Sequence, residues 1–511
     1  MEETFGLISI IPPVIAIALA FITRNVIISL FLGAFTGILI LLNGNVFKAV
    51  KSIVGDYIFV QSTDSYNAAV LALLVFIGGF VALMEKSGGA GAFAEKVATF
   101  IRTKVSAQLS AWVGGIIIFF SDLGTPLIVG PVFEPIFDKL KASREKLAWI
   151  IDSTSSPVAV MIPFIGWGVY IMGLISKEYE RLNIKESDWD AFMNALPFYI
   201  YPMLAVLIVP VMLLTKSEFG PMRAADRRIE KTGDIYWSHS KPLRKTEAMN
   251  EYLETKSKAS LVLVPIIVLL VMLFGQLIPL GFPFKQVAGG EFRIALSISY
   301  LTAAMVLIAL MVVYKVKKVM EAFDIYVSGM RRMMDIVIIL VLAWSLGNVL
   351  EQLGTANYLV SIMDGAIPAM LIPAIIFILG AIMSFACGTS WGTFAIMLPL
   401  AIPLAYHMDI SVYIAIGAVI SGGIFGDHCS PISDTTILSS TGAGCDHVDH
   451  NQTQIPIAVF NACITLIAFL VAGMYESVYT AVLAVILMVI GTIILGRISR
   501  NRERKRELEG A

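Results

Sequence analysis

The sequence is poor in charged residues and in cysteine. Only 15% of its 511 residues are charged and 57% are hydrophobic, whereas soluble proteins carry about 25% charged residues. The four cysteines form no CxxC pair, and their spacing predicts no disulfide framework. No Walker A, Rossmann or HExxH motif occurs, which argues against ATP hydrolysis by this chain. The start, Met1-Glu2-Glu3, lacks a basic region, so the first apolar run is predicted to be a retained span.

This composition predicts an all-α polytopic membrane protein. A helix that crosses a bilayer needs about 20 apolar residues, and about eleven runs in the sequence fit that length. The predicted crossings are 6–22, 26–43, 66–85, 147–176, 191–215, 258–281, 293–314, 332–350, 412–443, 453–474 and 477–496.

Two further apolar runs, 105–140 and 367–406, are interrupted by polar tips that contain glycine. The first tip is Ser121–Pro126 and the second is Cys387–Gly392. Each run has two apolar arms that are shorter than a full span. This pattern is typical of a re-entrant hairpin, which enters the membrane and returns to the same side.

Positive charge predicts the orientation. The segment 216–258 carries ten Lys and Arg residues, and the tail after residue 496 carries six. Such clusters mark the cytoplasmic side. The protein is predicted to lie in the inner membrane. With about eleven crossings, its N-terminus is then outside and its C-terminus is in the cytoplasm.

The order of these elements repeats along the chain. Each half reads as three spans, a hairpin, a span with a polar break and one more span, and the two halves have opposite orientations. Inverted repeats with paired broken helices are typical of secondary transporters. The predicted domains are the first repeat at 1–215, a polar cytoplasmic linker without hydrophobic periodicity at 216–257, the second repeat at 258–474, and an extra span with a basic tail at 475–511.

The most unusual stretch runs from Gly422 to Thr436, inside the predicted broken helix 412–443. It places two carboxylates, several hydroxyls and Pro431 at membrane depth. Proline and glycine weaken a helix there, and irregular backbone in a membrane is tolerated only where it faces protein or water. A plain Gly/Pro kink, or a loop just outside the bilayer, is the alternative. The first half has a similar break in 147–176, from Asp152 to Pro157.

Hydroxyls, carbonyls and carboxylates together suit a hard cation such as Na⁺. The candidate substrate- and ion-binding residues are Asp122, Thr125, Asp152, Ser153, Thr154, Ser155, Ser156, Thr389, Ser390, Asp427, Ser430, Ser433, Asp434, Thr435 and Thr436. Of these, Ser155, Ser430, Asp427 and Thr435 are the predicted Na⁺ ligands, and Asp152 and Asp427 the predicted proton-coupling residues. Mutually repelling carboxylates in one site bind either cations or protons, which is the physical basis of ion exchange. All four clusters are expected near the midplane, with Asp122 and Asp152 in one cavity.

Three smaller features stay open at this point. Glu134 is either a further proton site or the wet end of the first hairpin near Asp138. Trp167 and Trp391 are either plugs or packing residues. His428, His447, His450, Cys429 and Cys445 are zinc-type ligands, but their spacing matches no compact zinc motif, so no transition metal is predicted.

The run Gly388-Thr389-Ser390-Trp391-Gly392-Thr393 and the run Gly426–Thr436 resemble the signatures of the NhaC-type Na⁺/H⁺ antiporter family, and the resemblance covers most of the chain. It implies the fold of the ion transporter superfamily, with a scaffold domain, a mobile transport domain and usually a homodimer. The break at Ser153–Pro157 is similar to the hydroxyl-rich sodium motifs of that superfamily. Members include Na⁺/H⁺ exchangers, malate/lactate exchangers and Na⁺-dependent amino-acid carriers.

The function predicted from the sequence is Na⁺-driven secondary transport, with Na⁺/H⁺ antiport first. Na⁺-coupled transport of an amino acid such as methionine, or of a small carboxylate, is the alternative. A channel does not need the inverted repeat, and an enzyme would need an activated nucleophile or a metal. Na⁺ and H⁺ are the expected substrates, the lipid bilayer and a second copy the expected partners. No organic cofactor and no nucleic-acid partner are predicted.

Overall fold

The computed structural model describes residues 5–98, 101–241, 257–282, 287, 289–363 and 367–509, and those residues contain helices and turns but no strand. The helices of the first half are α1 (Ile11–Thr23), α2 (Val26–Leu41), α3 (Val46–Ser52), α4 (Phe59–Thr63), α5 (Ser65–Lys86), α6 (Gly89–Ala98), α7 (Lys104–Ile117), α8 (Gly124–Lys139), α9 (Arg144–Ser153), α10 (Ser156–Ala159), α11 (Gly166–Arg181), α12 (Asp188–Ala195), α13 (Ile200–Thr215) and α14 (Gly220–Thr232). Those of the second half are α15 (Ser260–Leu277), α16 (Gly289–Val313), α17 (Val319–Arg332), α18 (Met334–Gln352), α19 (Thr355–Met363), α20 (Ile372–Cys387), α21 (Ser390–His407), α22 (Val412–Cys429), α23 (Asp434–Ala443), α24 (His447–Tyr475) and α25 (Tyr479–Glu509).

The protein is an all-helical multi-span membrane protein. Within the described residues, nine helices are long and apolar enough to cross a membrane, or ten if the bent pair Asp188–Phe198 and Ile200–Thr215 is one span. The sequence predicts about eleven crossings. The count differs because 147–176 is split into three helices, α2 is only 16 residues long, and the first arm of the second hairpin is itself long enough to span.

Both predicted hairpins consist of two helices joined by a short tip. In the first, α7 and α8 pack together and are joined by residues 118–123. Thr125 stabilises this tip because its hydroxyl donates to the carbonyls of Ser121 at 2.8 Å and Ile118 at 3.0 Å. In the second, α20 ends before Gly388, whose φ of +67° is a conformation that glycine adopts without strain.

Both predicted breaks are present. α22 ends at Cys429 and α23 begins at Asp434, so Asp427 and Asp434 lie on opposite sides of the break. The first break is wider than predicted, because α11 begins only at Gly166. Pro157 is compatible with the first turn of α10, where its missing N–H costs nothing. Pro163 then prevents α10 from continuing into α11.

The helices form two groups, named here by position. The outer group is α1, α2, α5 and α15–α18, and the inner group is α7–α13 and α20–α24. α22 is the most enclosed of the candidate spans in the described residues, with 83% of its residues buried, against 28% for the span at Gly6–Thr23. The broken helix that carries Asp427 is therefore enclosed on nearly all sides by other parts of the protein.

The inner group interlocks the two halves of the chain. α23 of the second half packs against α8 and α9 of the first. At the crossing, a Cβ added to Gly442 would lie 2.1 Å from the carbonyl oxygen of Pro126, and one added to Gly130 would lie 2.3 Å from the backbone of Gly442. Only glycine permits two backbones to approach so closely.

The segment predicted as a linker without hydrophobic periodicity contains α14, which corrects that interpretation. Met222, Ala225 and Ile229 lie on one face of α14 and are buried. On the same face Asp226 forms an ion pair with Lys146 and accepts hydrogen bonds from the backbone N–H and hydroxyl of Ser143. α14 packs against the rest of the protein because its apolar residues and Asp226 lie on the same side of the helix. The many charged residues between them make this periodicity hard to recognise in the sequence.

Residues 233–241 continue this contact to the second half. The hydroxyl of Tyr236 lies 2.9 Å from the carbonyl oxygen of Gly444, and the guanidinium of Arg144 donates to both groups. Lys241 donates its backbone N–H to Asp446 at 2.6 Å. The segment 218–241 thus ties the start of α9 to the start of α24.

Candidate ion-binding site

One cavity of about 400 Å³ is lined by residues from both hairpin tips and both breaks. Nine of the polar residues in its wall come from these four elements: Ser121, Asp122, Ser156, Thr389, Ser390, Asp427, Ser433, Asp434 and Thr435. All but Ser121 are candidates from the sequence. The structure brings them together because the two hairpin tips and the two breaks lie side by side within the inner group.

Asp427 is the most enclosed carboxylate of this cavity. It lies in the last turn of α22 with 5% of its surface exposed. Its Oδ2 atom is 3.5 Å from Oγ1 of Thr435, which is 3.0 Å from Oγ of Ser433. A carboxylate, two hydroxyls and the negative end of a helix dipole all favour a cation at this point.

Two further carboxylates face the cavity. Asp122 is half-buried at the first tip, and Asp434 is exposed as the first residue of α23. Ser390 also lines the cavity and donates its hydroxyl to the carbonyl of Gly423 at 3.1 Å. The cavity therefore carries an excess of acidic oxygen atoms.

The cavity also contains Glu85 and Arg332, which the sequence analysis missed. Glu85 accepts hydrogen bonds from Ser121 at 2.6 Å and from Arg332 at 3.2 Å. Glu85 is followed by Lys86 at the end of an apolar span, so in the sequence Glu85 looks like part of the ordinary charged end of a helix. The contact with Ser121 joins the outer group to the first hairpin tip.

Asp152 does not line the cavity in the part of the chain that the structure describes, which corrects the expectation that it shares one cavity with Asp122. Its carboxylate is buried behind the second break, because α9 packs against α23 and α24. Gln454 donates to Oδ2 of Asp152 at 2.6 Å, Thr436 at 3.4 Å and Ser439 to Oδ1 at 3.2 Å. Asp152 is therefore surrounded by hydrogen-bond donors from the second half.

Two histidines complete this buried cluster around Asp152. Nε2 of His428 and Nε2 of His450 each lie 3.6 Å from Oδ2 of Asp152. Nδ1 of His428 lies 2.9 Å from the hydroxyl of Tyr201. Among the described residues, both nitrogens of His450 and Oε1 of Gln454 have no hydrogen-bond partner. Buried polar atoms are nearly always paired in folded proteins, so the hydrogen-bonding capacity of this cluster is not filled by the described residues.

The remaining candidate hydroxyls are divided between the cavity and the backbone. Ser155 donates to the carbonyl of Asp152 at 3.0 Å, and Ser430 to that of Phe385 at 2.8 Å. Thr154 likewise donates to the carbonyl of Ile150. The hydroxyls of Ser153 and Ser156 are buried without a partner in the described residues. Of the four predicted Na⁺ ligands, only Asp427 and Thr435 line the cavity.

Trp167 and Trp391 form one wall of the cavity. Their ring centroids are 4.1 Å apart, and the hydroxyl of Tyr170 donates to the carbonyl of Trp391 at 2.6 Å. This aromatic layer joins α11 of the first half to α21 of the second. It closes the cavity between those helices.

Glu134 lies away from both clusters. It forms a salt bridge of 2.9 Å with Arg144, which also pairs with Asp138 at 2.7 Å. This arrangement favours the interpretation of Glu134 as the wet end of the first hairpin near Asp138. No group of three or more His, Cys, Asp or Glu side chains in the described ranges is placed to hold a metal ion.

Comparisons with known proteins agree with this architecture. The model of the Na⁺/H⁺ antiporter family matches residues 4–165 and 158–474. An uncharacterised protein of Haemophilus influenzae is 32% identical over 486 residues, which cover 92% of this chain and 91% of that protein. The malate-2H⁺/Na⁺-lactate antiporter of Bacillus subtilis is 36% identical over 96 residues, or 19% of this chain and 20% of that one.

A solved structure shows the same fold. The YdaH transporter of Alcanivorax borkumensis superposes with a TM-score of 0.54 at 12% identity, over 88% of this chain and 90% of that one. This likeness concerns the fold alone. The family model covers nearly the whole chain, and the chain therefore belongs to the Na⁺/H⁺ antiporter family of secondary transporters.

Proposed function

We propose that this chain exchanges Na⁺ for H⁺ by alternating access, with Asp427 as the Na⁺ ligand and Asp152 as the proton-coupling residue. The observation that carries the proposal is the position of α23 between the two aspartates. Consecutive residues of that helix, Thr435 and Thr436, face Asp427 and Asp152 respectively. A change at one carboxylate is therefore transmitted to the other over a few ångströms.

The Na⁺ ion binds in the cavity at Asp427 and Thr435. A cation there neutralises a carboxylate that is otherwise buried without a charged partner within salt-bridge distance among the described residues. Uncompensated burial of a charge is costly, and a bound cation removes most of that cost. Asp122 and Asp434 raise the local concentration of cations at the mouth of the site.

The proton is held at Asp152, His428 and His450. With Asp152 ionised and both imidazoles neutral, this buried cluster carries one negative charge, and one bound proton makes it neutral. The titratable groups that face the cluster are Tyr201, Cys429 and Asp427. Gln454, Thr436 and Ser439 already donate to the carboxylate of Asp152, and a proton bound to the cluster without Na⁺ cancels its remaining negative charge.

Sodium binding and proton release are linked because the two sites share a helix. His428 directly follows Asp427 on α22, so a Na⁺ ion at Asp427 repels a proton at His428 or Asp152. At low effective dielectric, two charges a few ångströms apart interact by several kcal/mol. The two cations therefore compete, and each conformational cycle moves one kind in each direction.

The orientation proposed for this cycle has the N-terminus outside and the C-terminus in the cytoplasm of the inner membrane. Arg500 in the basic tail donates to the carbonyl of Lys216 at 2.8 Å, which places the tail and the docked segment 216–241 at the same end of the molecule. A common basic end supports the cytoplasmic assignment. We also propose an inverted relation between the two halves, with residues 1–215 and 258–474 as the repeats, and a homodimer as the assembled form.

The test is an exchange assay with purified protein in liposomes. An inward Na⁺ gradient is expected to drive H⁺ outward and to produce an alkaline interior, and the reversed gradient an acidic one. Asp427→Asn should abolish both. Na⁺ uptake that moves no H⁺ would disprove antiport and leave Na⁺-coupled transport of a solute.

Na⁺-coupled transport of a small carboxylate or an amino acid is the second candidate. It is favoured by Arg332, which places a cationic guanidinium in the wall of an otherwise acidic cavity. The helix N-termini at Gly124 and Ser390, beside the two tips, also attract carboxylates. The similar Bacillus subtilis protein exchanges malate for lactate with H⁺ and Na⁺. Labelled malate, lactate and methionine in the same liposomes distinguish the two functions.

A further inference from the structure

A second cavity of about 250 Å³ lies between α11, α18, α19 and α21, outside the site described above. Its polar lining includes Glu178 and Arg181 from α11, Glu351 from α18 and His407 from α21. Glu178 is buried, and it forms an ion pair with Arg181. Neither the Na⁺ site nor the proton cluster uses these residues.

Three helices, α11, α18 and α21, line both cavities, and they do so at opposite ends. Trp167, Ile336 and Trp391, near the starts of α11, α18 and α21, line the ion cavity. Arg181, Glu351 and Tyr406, at the ends of the same helices, line the second one. The helical segment from Trp167 to Arg181 is about 21 Å long at 1.5 Å per residue. The two cavities are therefore stacked across much of the thickness of a bilayer, which has a core of about 30 Å.

An aromatic layer separates the two cavities. It consists of the Trp167–Trp391 pair, Tyr170 against Trp391 at 4.6 Å between ring centroids, and Phe394 against Trp167 at 5.9 Å. Trp344 of α18 lies next to this layer and donates its indole N–H to the carbonyl of Gly173 at 3.0 Å.

At the second-cavity end, the inner and outer groups are held together by charged contacts. Arg181 donates to the carbonyl of Trp344 at 2.6 Å and lies 3.4 Å from Glu351, so it ties α11 to α18. Further ties at this end are Lys177–Asp64 at 3.3 Å, Tyr66–Asp188 at 2.5 Å and Arg293–Asp188 at 3.1 Å. At the ion-cavity end, the tip contact Ser121–Glu85 joins the groups, and Arg332 beside it is 58% exposed.

We infer that the second cavity is the vestibule on the other side of the membrane, and that Arg181 is the latch that holds it shut in this state. The inference rests on the alternating-access part of the proposed function. In the opposite state, α11 and α21 release α18, the contacts of Arg181 break and the vestibule opens to the Na⁺ site. The ion cavity then loses its opening at the Arg332 end.

The experiment is two-sided thiol labelling with a membrane-impermeant maleimide in proteoliposomes. A Cys463→Ser background removes the exposed cysteine, since the other three are buried. Two matched reporters are Leu438→Cys in the ion cavity and Leu400→Cys in the second cavity, both half-buried leucines. Reagent added to one side should label the first reporter rapidly, and reagent added to the other side should label the second reporter slowly, because the latched vestibule opens only transiently.

Arg181→Gln then tests the latch. Loss of a hydrogen bond to a charged group corresponds to about a tenfold shift in an equilibrium. We expect about tenfold faster labelling of Leu400→Cys and slower labelling of Leu438→Cys. The control is Tyr413→Phe, which removes the 3.0 Å hydrogen bonds from the Tyr413 hydroxyl to Glu186. These bonds lie near the same end of the molecule as Arg181, but they do not connect the inner group to the outer group.

The outcomes separate the inference from the proposed function. Labelling of both reporters from one side, or unchanged rates in Arg181→Gln, overturns the vestibule and its latch. Opposite sidedness with a faster Leu400→Cys reaction supports them, even in a protein that moves no H⁺ with Na⁺. In that last case the antiport proposal fails and the vestibule serves another Na⁺-coupled substrate.

Discussion

Gln454 donates a hydrogen bond of 2.6 Å to Asp152, a residue 302 positions earlier in the chain. The same amide nitrogen lies 2.6 Å from the carbonyl oxygen of His428. One side chain of α24 therefore joins the broken helix of the first half to that of the second. The buried cluster around Asp152 forms only when the two halves are assembled.

The first prediction concerns Asp152. Asp152→Asn is expected to bind Na⁺ and to lose the pH dependence of that binding, because the amide cannot share a proton with His428 and His450. The measurement is Na⁺ binding to purified protein between pH 6 and pH 9, with proton release recorded on Na⁺ addition. His407→Gln, a histidine far from the cluster, is the control and should keep the wild-type pH dependence. Normal proton release from Asp152→Asn would show that the proton is held elsewhere.

The second prediction concerns Asp427. Asp427→Asn is expected to weaken Na⁺ binding by about 2 kcal/mol or more, roughly 30-fold in Kd, because a charged ligand is replaced by a neutral one. The matched control is Asp409→Asn, an exposed aspartate with φ of +54°, which asparagine also tolerates. Equal Kd values for the Asp427→Asn variant and the wild type would move the Na⁺ site away from α22.

The third prediction compares two hydroxyls near the second break. Thr435→Val should weaken Na⁺ binding about tenfold, since its hydroxyl lies beside Asp427 in the cavity. Ser430→Ala should have a smaller effect on Kd, because that hydroxyl is used by the carbonyl of Phe385. The sequence analysis predicts both Ser430 and Thr435 as Na⁺ ligands, together with Ser155 and Asp427. A larger effect of Ser430→Ala than of Thr435→Val would favour that arrangement.

The fourth prediction concerns orientation. In a Cys463→Ser background, Lys231→Cys on α14 should react with an impermeant thiol reagent only after the cells are permeabilised. Asp409→Cys, between α21 and α22, should react in intact cells. Both positions are exposed in the structure. Labelling of Lys231→Cys in intact cells would reverse the orientation and remove the charge-based support for the inverted repeat.

The fifth prediction concerns stability and pH. Burial alone would raise the pKa of Asp226, but the ammonium groups of Lys146 and Lys104 and hydrogen bonds from Lys146 and Ser143 lower that pKa to about 2. A lowered pKa stabilises the folded protein above the unfolded value of about 3.9, and the gain is lost as pH falls toward 2.

Asp226→Asn should therefore lower the free energy of unfolding by about 2 kcal/mol at neutral pH. The difference from wild type should shrink as pH falls from 4 to 2, in denaturant unfolding of detergent-purified protein. Glu230→Gln on the same helix is the control, because its pair with Lys104 is exposed and contributes about 0–1 kcal/mol. A difference that does not depend on pH would assign the effect to packing alone.

Much of the fold was predictable from local chemistry. Pro431 and the glycines near it mark the second break, and the polar tip at Ser121 marks the first hairpin. The width of the first break was not predictable, because Pro157 is tolerated at the start of a short helix and only Pro163 stops it. The docking of α14 was also hidden, because the partners of its charged residues, such as Lys146 for Asp226, are distant in sequence.

The site was predictable as a set of residue types but not as an arrangement. Asp427 and Thr435 lie in one motif, so their proximity follows from a single break. The separation of Asp152 from Asp122 depends on which face of α9 meets α23, and spacing along one helix does not determine that face. Glu85 and Arg332 were missed because each stands at the end of a helix, where charged residues are ordinary.

The crossing of α8 and α23 at Gly130 and Gly442 bears on the order in which the chain is assembled. During synthesis, the first hairpin and Asp152 are made long before Gly442 leaves the ribosome. Until then no helix packs against Gly130 on α8, and Asp152 lacks the hydrogen-bond donors of α23 and α24. The buried polar contacts of the first half are therefore completed only late in synthesis, when α23 and α24 pack against α8 and α9.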